Sequence, residues 1–266
     1  MNAPIGVFDS GVGGLSVLRE IRRQLPTEHI IFVADQAHVP YGSRSVSQVR
    51  DFSLEITRFL LSYNAKLIVV ACNTASAAAL HHLREALPKV TFIGMEPAVK
   101  PAAERTQSGI VGVLATPATF QGELYNSVVE RFAQGVTVLT DTCDGLVVQI
   151  ERGELNTSAT RAILEKALHP MIARGVDRVV IGCTHYPFVI PLIEEIVGPE
   201  VEVIDPAPAV ARQVERMLVS QGLQEPGSSL GTDSYFTTGD PAKLSNLLPL
   251  LIGESAQVGS LCWPLN

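Results

Sequence analysis

Two cysteines in this chain stand where their thiols could do chemistry. Leu67 to Ala71 is an apolar, β-branched run of the kind that forms a strand buried on both faces of a parallel sheet, and it stops at Cys72. Asn73 and Thr74 can both cap a helix, and the Ala-rich segment Ala75 to Leu87 supplies one. Cys72 is therefore expected at a strand-to-helix corner, at the carboxyl edge of a sheet, where open α/β proteins place ligands. Amides at a helix start favour an anion, so a thiol at that corner is biased toward thiolate. The pattern recurs. Asp177 to Pro187, Asp-Arg-Val-Val-Ile-Gly-Cys-Thr-His-Tyr-Pro, again ends an apolar strand on a cysteine, Cys183, followed by hydroxyl and helix-start residues.

A matched pair of thiols has a definite use. One can remove a proton from a carbon while the other delivers one to the opposite face, which is what inversion of a stereocentre requires. A thiol of pKa ~8.5 is only about 3% ionised at neutral pH, a cost of roughly 2 kcal/mol that a helix terminus or a charged neighbour can offset. Asp9, at the end of an earlier strand, and His185, two residues after Cys183, are the groups placed to act as such neighbours.

The elements that must hold these residues read as alternating strands and helices. Ile5 to Asp9 is a strand, followed by the turn Ser10-Gly11-Val12-Gly13-Gly14 and a helix from Leu15; Ile30 to Asp35 is the next strand. A glycine-rich turn with an acid ending the following strand invites a dinucleotide reading. It fails because Gly-x-Gly-x-x-Gly would need glycine at position 16, which is Ser16, and because Asp9 would repel a pyrophosphate. The turn is read instead as offering amides to a small carboxylate. The loop Asp35 to Ser45, with Pro40-Tyr41-Gly42, lies at the same sheet edge. Further along, Phe120 to Phe132 reads as one helix, Pro187 opens another, and Gln257 to Trp263 reads as an edge strand. Cys143 and Cys262 are read as packing cysteines.

The two halves overlay. Gly6-Val7-Phe8-Asp9-Ser10 matches Gly112-Val113-Leu114-Ala115-Thr116, the two cysteine strands match, and Gly94-Met95-Glu96-Pro97-Ala98 matches Val203-Ile204-Asp205-Pro206-Ala207, in the same order and at nearly one spacing. The expected architecture is α/β: two similar, pseudo-symmetric α/β units with mostly parallel sheets and an active site in the cleft between them. Residues 1–97 plus 208–266 would form the first unit, carrying Cys72, and residues 98–207 the second, carrying Cys183.

Composition narrows the function classes. The 266 residues are 46% hydrophobic and 18% charged, enough for a sizeable core. No apolar run reaches the ~18–20 residues of a membrane span, and Met1 to Ile5 lacks the basic region of a signal peptide, so neither a membrane nor an export signal is expected. A net charge of −7 with no basic cluster argues against nucleic acid as a primary ligand. Four cysteines without a Cys-x-x-Cys pair form no disulfide framework, which suits a reduced, cytoplasmic protein. His81 and His82 are helix neighbours that point apart, so no metal site is expected.

Val7-Phe8-Asp9-Ser10-Gly11-Val12-Gly13-Gly14, Pro40-Tyr41-Gly42, Ala71-Cys72-Asn73-Thr74-Ala75, Leu114-Ala115-Thr116-Pro117-Ala118-Thr119 and Gly182-Cys183-Thr184-His185-Tyr186-Pro187 together resemble the glutamate racemases of the cofactor-independent aspartate/glutamate racemase superfamily. The resemblance spans most of the chain in family order. It implies that Cys72 and Cys183 are the acid/base thiols, assisted by Asp9, Glu151 and His185. It further implies that Asp9, Ser10, Tyr41, Gly42, Asn73, Thr74, Thr184 and His185 hold the substrate glutamate. It also implies no cofactor, a role in supplying D-glutamate for peptidoglycan, and a cytoplasmic homodimer. The family tends to have Cys-Pro where this chain has Cys143-Asp144, just ahead of Glu151. Rival readings are aspartate or hydantoin racemisation, a one-cysteine decarboxylation that the second cysteine opposes, and an amino-acid-binding regulatory protein that would need neither thiol.

Overall fold

Apolar runs that read as doubly buried strands do become the centres of two parallel sheets. A computed structural model of the chain describes residues 3–227 and 229–263. Met1, Asn2, Ser228 and residues 264–266 lie outside the described residues, so the start of the segment Met1 to Ile5 and one position of the loop Gln224 to Asp233 are not described. The chain divides into two units, Met1–Met95 with Ala207–Asn266, and Glu96–Pro206.

The first unit begins with β1 (Ile5–Asp9), α1 (Leu15–Gln24), β2 (Ile30–Ala34), α2 (Val46–Ser62), β3 (Leu67–Val70), α3 (Asn73–Ala86) and β4 (Phe92–Gly94). The second contains α4 (Val99–Arg105), β5 (Ile110–Ala115), α5 (Pro117–Gln121), α6 (Glu123–Phe132), β6 (Thr137–Asp141), α7 (Leu146–Glu151), α8 (Ser158–Ala173), β7 (Arg178–Gly182), α9 (Ile190–Val197) and β8 (Glu202–Ile204). The chain then returns to the first unit as α10 (Ala207–Gln221), β9 (Asp233–Thr237), α11 (Pro241–Ile252) and β10 (Val258–Ser260). The first sheet runs β10-β9-β2-β1-β3-β4 and the second β6-β5-β7-β8, with every pairing parallel. The run β2-β1-β3-β4 and the run β6-β5-β7-β8 have the same order, so the duplication seen in the motifs is also one of topology. In each unit the cysteine strand pairs with the unit's first strand: β3 with β1, and β7 with β5.

Parallel strands covered on both faces have no polar side to show, which is why these segments read as unbroken apolar runs. Leu67, Ile68, Val69 and Val70 have no exposed surface, each contributing about 1.5–3 kcal/mol through burial. Around them in the first unit pack Phe8, Val33, Val49, Ile56, Leu60 and Leu83, and the second core gathers Val111, Val113, Val128, Val180 and Ile204.

Several boundaries differ from the sequence reading. The helix expected over Phe120 to Phe132 is two helices, because Pro117 starts α5 early and Gly122 turns extended, with φ −73° and ψ 138°, before α6. Pro187 opens a 3₁₀ turn, Tyr186–Val189, and the α-helix waits until Ile190. The expected edge strand shrinks to the three residues of β10.

The two edges of each sheet carry different chemistry. At the amino edge of the first sheet, charges are consumed in pairing. Lys66, just before β3, lies 2.5 Å from Glu28, just before β2, and Arg22 pairs with Asp233 at the start of β9. At the amino edge of the second, burial works against ionising Asp177, but the Thr106 hydroxyl, the amides of Gln107 and Ser108 and the Ser108 hydroxyl outweigh it and hold the carboxyl at about 2. The carboxyl edges instead carry Asp9, Asp35 and Cys72 in one unit and Thr116 and Cys183 in the other.

Candidate active site

In the first unit, Cys72 is the N-cap of α3. Its backbone is extended, with φ −141° and ψ 122°, and its Sγ accepts the Ala75 N–H at 3.4 Å. Asn73 and Thr74 do not cap the helix, as they could have; they are its first helical residues, and the thiol does the capping itself. The Asn73 amide is left with no hydrogen-bond partner among the described residues although only 4% of the residue is exposed. A buried amide without partners costs about 1–3 kcal/mol, which a ligand offering a donor and an acceptor would recover.

Asp9 is fully buried at the end of β1. Its Oδ2 accepts the N–H groups of Gly14 at 2.9 Å and Gly11 at 3.3 Å. These two amides of the glycine turn are therefore taken by the chain's own carboxylate rather than left for a ligand's, which corrects the reading from sequence. The thiol of Cys72 lies 3.8 Å from the Ser10 hydroxyl. The expected bias of this thiol toward thiolate is also corrected. Burial, then the Asp9 charge, push the Cys72 thiol well up, and the Ala75 amide lowers it by less. The helix start does point at the sulfur, but desolvation and a like charge win.

Gly14 is required by this arrangement. A Cβ there would sit 2.7 Å from Asp9 Cβ, 3.0 Å from Phe32 Cε2 and 3.2 Å from Ala71 Cβ. Gly14→Ala is expected to cost about 1–3 kcal/mol by overpacking and to displace the Asp9 carboxylate. Thermal denaturation together with kcat checks this. A folded variant with unaltered kcat would show that the position of Asp9 does not matter to turnover.

Tyr41 opens a 3₁₀ turn, Tyr41–Ser43, that includes Gly42. Its ring is buried in the first core, and its hydroxyl donates to Asp35 Oδ2 at 2.6 Å. Burial, then the Asp35 charge, raise the Tyr41 phenol well above its usual value, so the hydroxyl stays a donor; Tyr41 and Cys72 belong to the same buried core. In the sequence Asp35 is legible only as the acid that ends the second strand; its contacts with Tyr41, His38, Thr238 and Trp263 are not.

In the second unit, Cys183 follows β7 and is 6% exposed. The residue before it is Gly182, where a Cβ would meet Ala115 Cβ at 2.8 Å and the Leu114 carbonyl oxygen at 3.0 Å, so glycine lets β7 lie tight on β5 just where the thiol emerges. Cys183 Sγ lies 3.9 Å from His185 Nδ1, and His185 Nε2 lies 2.7 Å from Glu151 Oε1. Burial of the imidazole opposes its protonation, but the hydrogen bonds and charges of Cys183 and Glu151 prevail and raise His185 well above its usual value. Thr184 is buried beside them. Glu151 reaches this place because α7 is short: Gly145, with φ 92°, starts it, and it ends on Glu151. The Cys143-Asp144 departure just before it is accommodated by a positive φ of 46° at Cys143 and by the Asp141 carboxylate accepting the Cys143 N–H at 2.8 Å.

Within each unit, then, a thiol is brought together with charged company of opposite kind: Asp9 with Cys72, and the Glu151–His185 pair with Cys183. Cys143 is buried, as a packing cysteine should be, but Cys262 is exposed, so packing does not account for it. Among the described residues no three His, Cys, Asp or Glu side chains are grouped to hold a metal ion, and no helix is long and apolar enough to cross a membrane.

The same arrangement of chain is found in known proteins. Residues 5–214 match the family model for Asp/Glu/Hydantoin racemase. A glutamate racemase of Pseudomonas paraeruginosa is 49% identical over 260 residues, covering 98% of both chains. Among solved structures, a glutamate racemase isoform from Bacillus anthracis superposes with a TM-score of 0.88 at 33% identity, covering 99% of both chains. The Escherichia coli glutamate racemase, solved with L-glutamate and an activator, superposes with a TM-score of 0.86 at 30% identity over 98% of both. With a family model spanning most of the chain and relatives matched end to end, the protein belongs to the Asp/Glu/Hydantoin racemase family and is a racemase, an isomerase.

Proposed function

We propose that the protein interconverts L- and D-glutamate by proton transfer at Cα between Cys72 and Cys183, without a cofactor, and so supplies D-glutamate for peptidoglycan synthesis. The observation that carries this reading is that the same strand-end corner is built twice, each time with a buried thiol beside a charged partner. Glutamate as the substrate is supported by the relatives, one of which was solved with L-glutamate bound. The resemblance in sequence is what supports a cytoplasmic homodimer.

The proposed cycle balances simply. In the L→D direction Cys183 takes the Cα proton, the electron pair remains on the substrate as a carbanion, and the Cys72 thiol delivers its proton to the opposite face. The thiolate has then moved from one cysteine to the other, and the D→L direction runs the same steps in reverse. The two neighbourhoods suit these starting roles. Burial and Asp9 keep Cys72 protonated and ready to donate, while a protonated His185 beside Cys183 can balance a thiolate there. For the reverse direction Cys72 must first lose its proton, and a thiolate held up by burial and by Asp9 is a strong base toward a carbon acid. Ser10, Asn73, Thr74, Thr184 and the turn carrying Tyr41 and Gly42 are assigned to the substrate's carboxylates and ammonium group. The unpartnered Asn73 amide supports that assignment. For Tyr41 the ring and hydroxyl serve to hold the turn, because the hydroxyl is already given to Asp35.

Incubating the purified protein with L-glutamate in deuterium oxide, with no added cofactor, is expected to put deuterium at Cα and to build up the D-isomer. Neither signal at high enzyme concentration would overturn the proposal. Faster exchange with L-aspartate run in parallel would reassign the substrate.

A further inference from the structure

Asp35 sits fully buried at the carboxyl end of the first sheet, within a cluster of polar and aromatic side chains. Its carboxylate accepts the Tyr41 hydroxyl at 2.6 Å, the Thr238 hydroxyl at 2.6 Å and the Trp263 indole N–H at 3.0 Å, and His38 Nδ1 lies 2.9 Å away. Buried carboxyl oxygens without such partners would be left unsatisfied, at a cost these contacts remove. These donors come from three separate stretches of chain: the turn leading to Gly42, the end of β9, and the residues after β10. The rings involved also pack on one another. His38 stacks on Phe52 at 3.9 Å between centroids, Trp263 meets the His38 ring edge-on at 5.1 Å and Phe52 at 5.5 Å, and Tyr41 lies 5.8 Å from Phe52. The Arg44 guanidinium closes the turn by donating to the His38 carbonyl at 3.0 Å.

We propose that Trp263 is a positioning residue for substrate binding: its indole N–H holds Asp35, and through Asp35 and the ring stack it fixes the Pro40-Tyr41-Gly42 turn against the Cys72 corner. This rests on the proposed reading that the turn holds the substrate. In this scheme Trp263 acts through Asp35 and through the His38 and Phe52 rings, not on either thiol directly. Its effect belongs in ground-state binding of substrate, hence in KM, more than in the chemical step.

Racemisation by the unaltered chain decides the reading of the activity itself; three further readouts decide the role of Trp263. Trp263→Phe keeps a ring in the stack but removes the N–H, and is expected to raise KM for glutamate roughly 3- to 10-fold while kcat changes less than about 2-fold. Combining it with Asp35→Asn is expected to give much less than the product of the two single effects, because both break one connection. The third readout needs no variant that might fail to fold. Trp263 is the single tryptophan of the chain, so its emission reports on this cluster alone, and glutamate titrated into the unaltered protein is expected to shift or quench it saturably. Unchanged KM in Trp263→Phe, independent effects of the two substitutions, or an emission indifferent to saturating glutamate would each overturn the proposal. So would a loss confined to thermal stability, since a merely structural tryptophan would lower the melting point and leave KM alone.

Discussion

Cys183→Ser and Cys72→Ser are each expected to abolish racemisation, with kcat falling at least about 10³-fold, because a serine hydroxyl is too weak an acid or base to replace a thiol in proton transfer at carbon. The cycle needs a donor opposite the base, so losing either thiol stops inversion in both directions. It does not stop proton abstraction by the thiol that remains. By resemblance Cys183 serves the L-face and Cys72 the D-face, so Cys72→Ser should still abstract from L-substrates and Cys183→Ser from D-substrates. A substrate analogue with a good leaving group at Cβ separates these half-reactions, since elimination requires only one base. Elimination from both enantiomers in both variants is the measurement. Equal elimination from both enantiomers by both variants would refute the division of labour, and near-normal racemisation by either would refute the two-thiol cycle.

The corners that carry those thiols were legible because everything that makes them is local. Leu67 to Val70 and Val179 to Ile181 are unbroken apolar runs, as doubly covered parallel strands must be, and each gives way to a cysteine and helix-start residues within two positions. Two similar α/β units are legible from three matched strand ends; the strand order that their sheets share is not. What was not legible depends on burial or on residues far apart in the chain. Glu151 looks like a solvated charge at a helix end, yet it lies 2.7 Å from His185, 34 positions away. The glycine-turn amides read as available, but whether a carboxylate folds back to take them depends on where the buried Asp9 side chain lies. The helix start alone favours a Cys72 thiolate, and the larger opposing causes are its burial and the nearby Asp9 charge, neither of which spacing along a sequence can give. Asp35 resembles any acid that ends a strand until Thr238 and Trp263, both more than 200 positions away, are seen to donate to it.

The charged partners of the two thiols should be separable by pH, because they act with opposite sign. His185 is held above its unfolded value of about 6.5, so its interactions stabilise the fold fully below that pH and are lost as pH rises through the folded value. Burial pulls the imidazole down and the Glu151 carboxylate helps to hold it up, so Glu151→Gln must lower the folded value. Histidine proton resonances followed against pH are expected to show His185 losing its proton at lower pH in Glu151→Gln than in the unaltered protein, and the alkaline fall in kcat should move the same way. On the other side, Asp9 is an anion that raises the Cys72 thiol. Asp9→Asn removes that charge while leaving the larger effect of burial, so Cys72 should ionise at lower pH and react faster with iodoacetamide near neutrality. Easier ionisation is not better catalysis. A Cys72 thiolate without Asp9 is a weaker base, and a Cys183 thiolate without a protonated His185 loses its counter-charge, so both Asp9→Asn and His185→Asn are expected to lower kcat about 10²-fold or more while raising KM far less. A change confined to KM in either variant would make that residue a substrate-holding group and leave its thiol to act unaided.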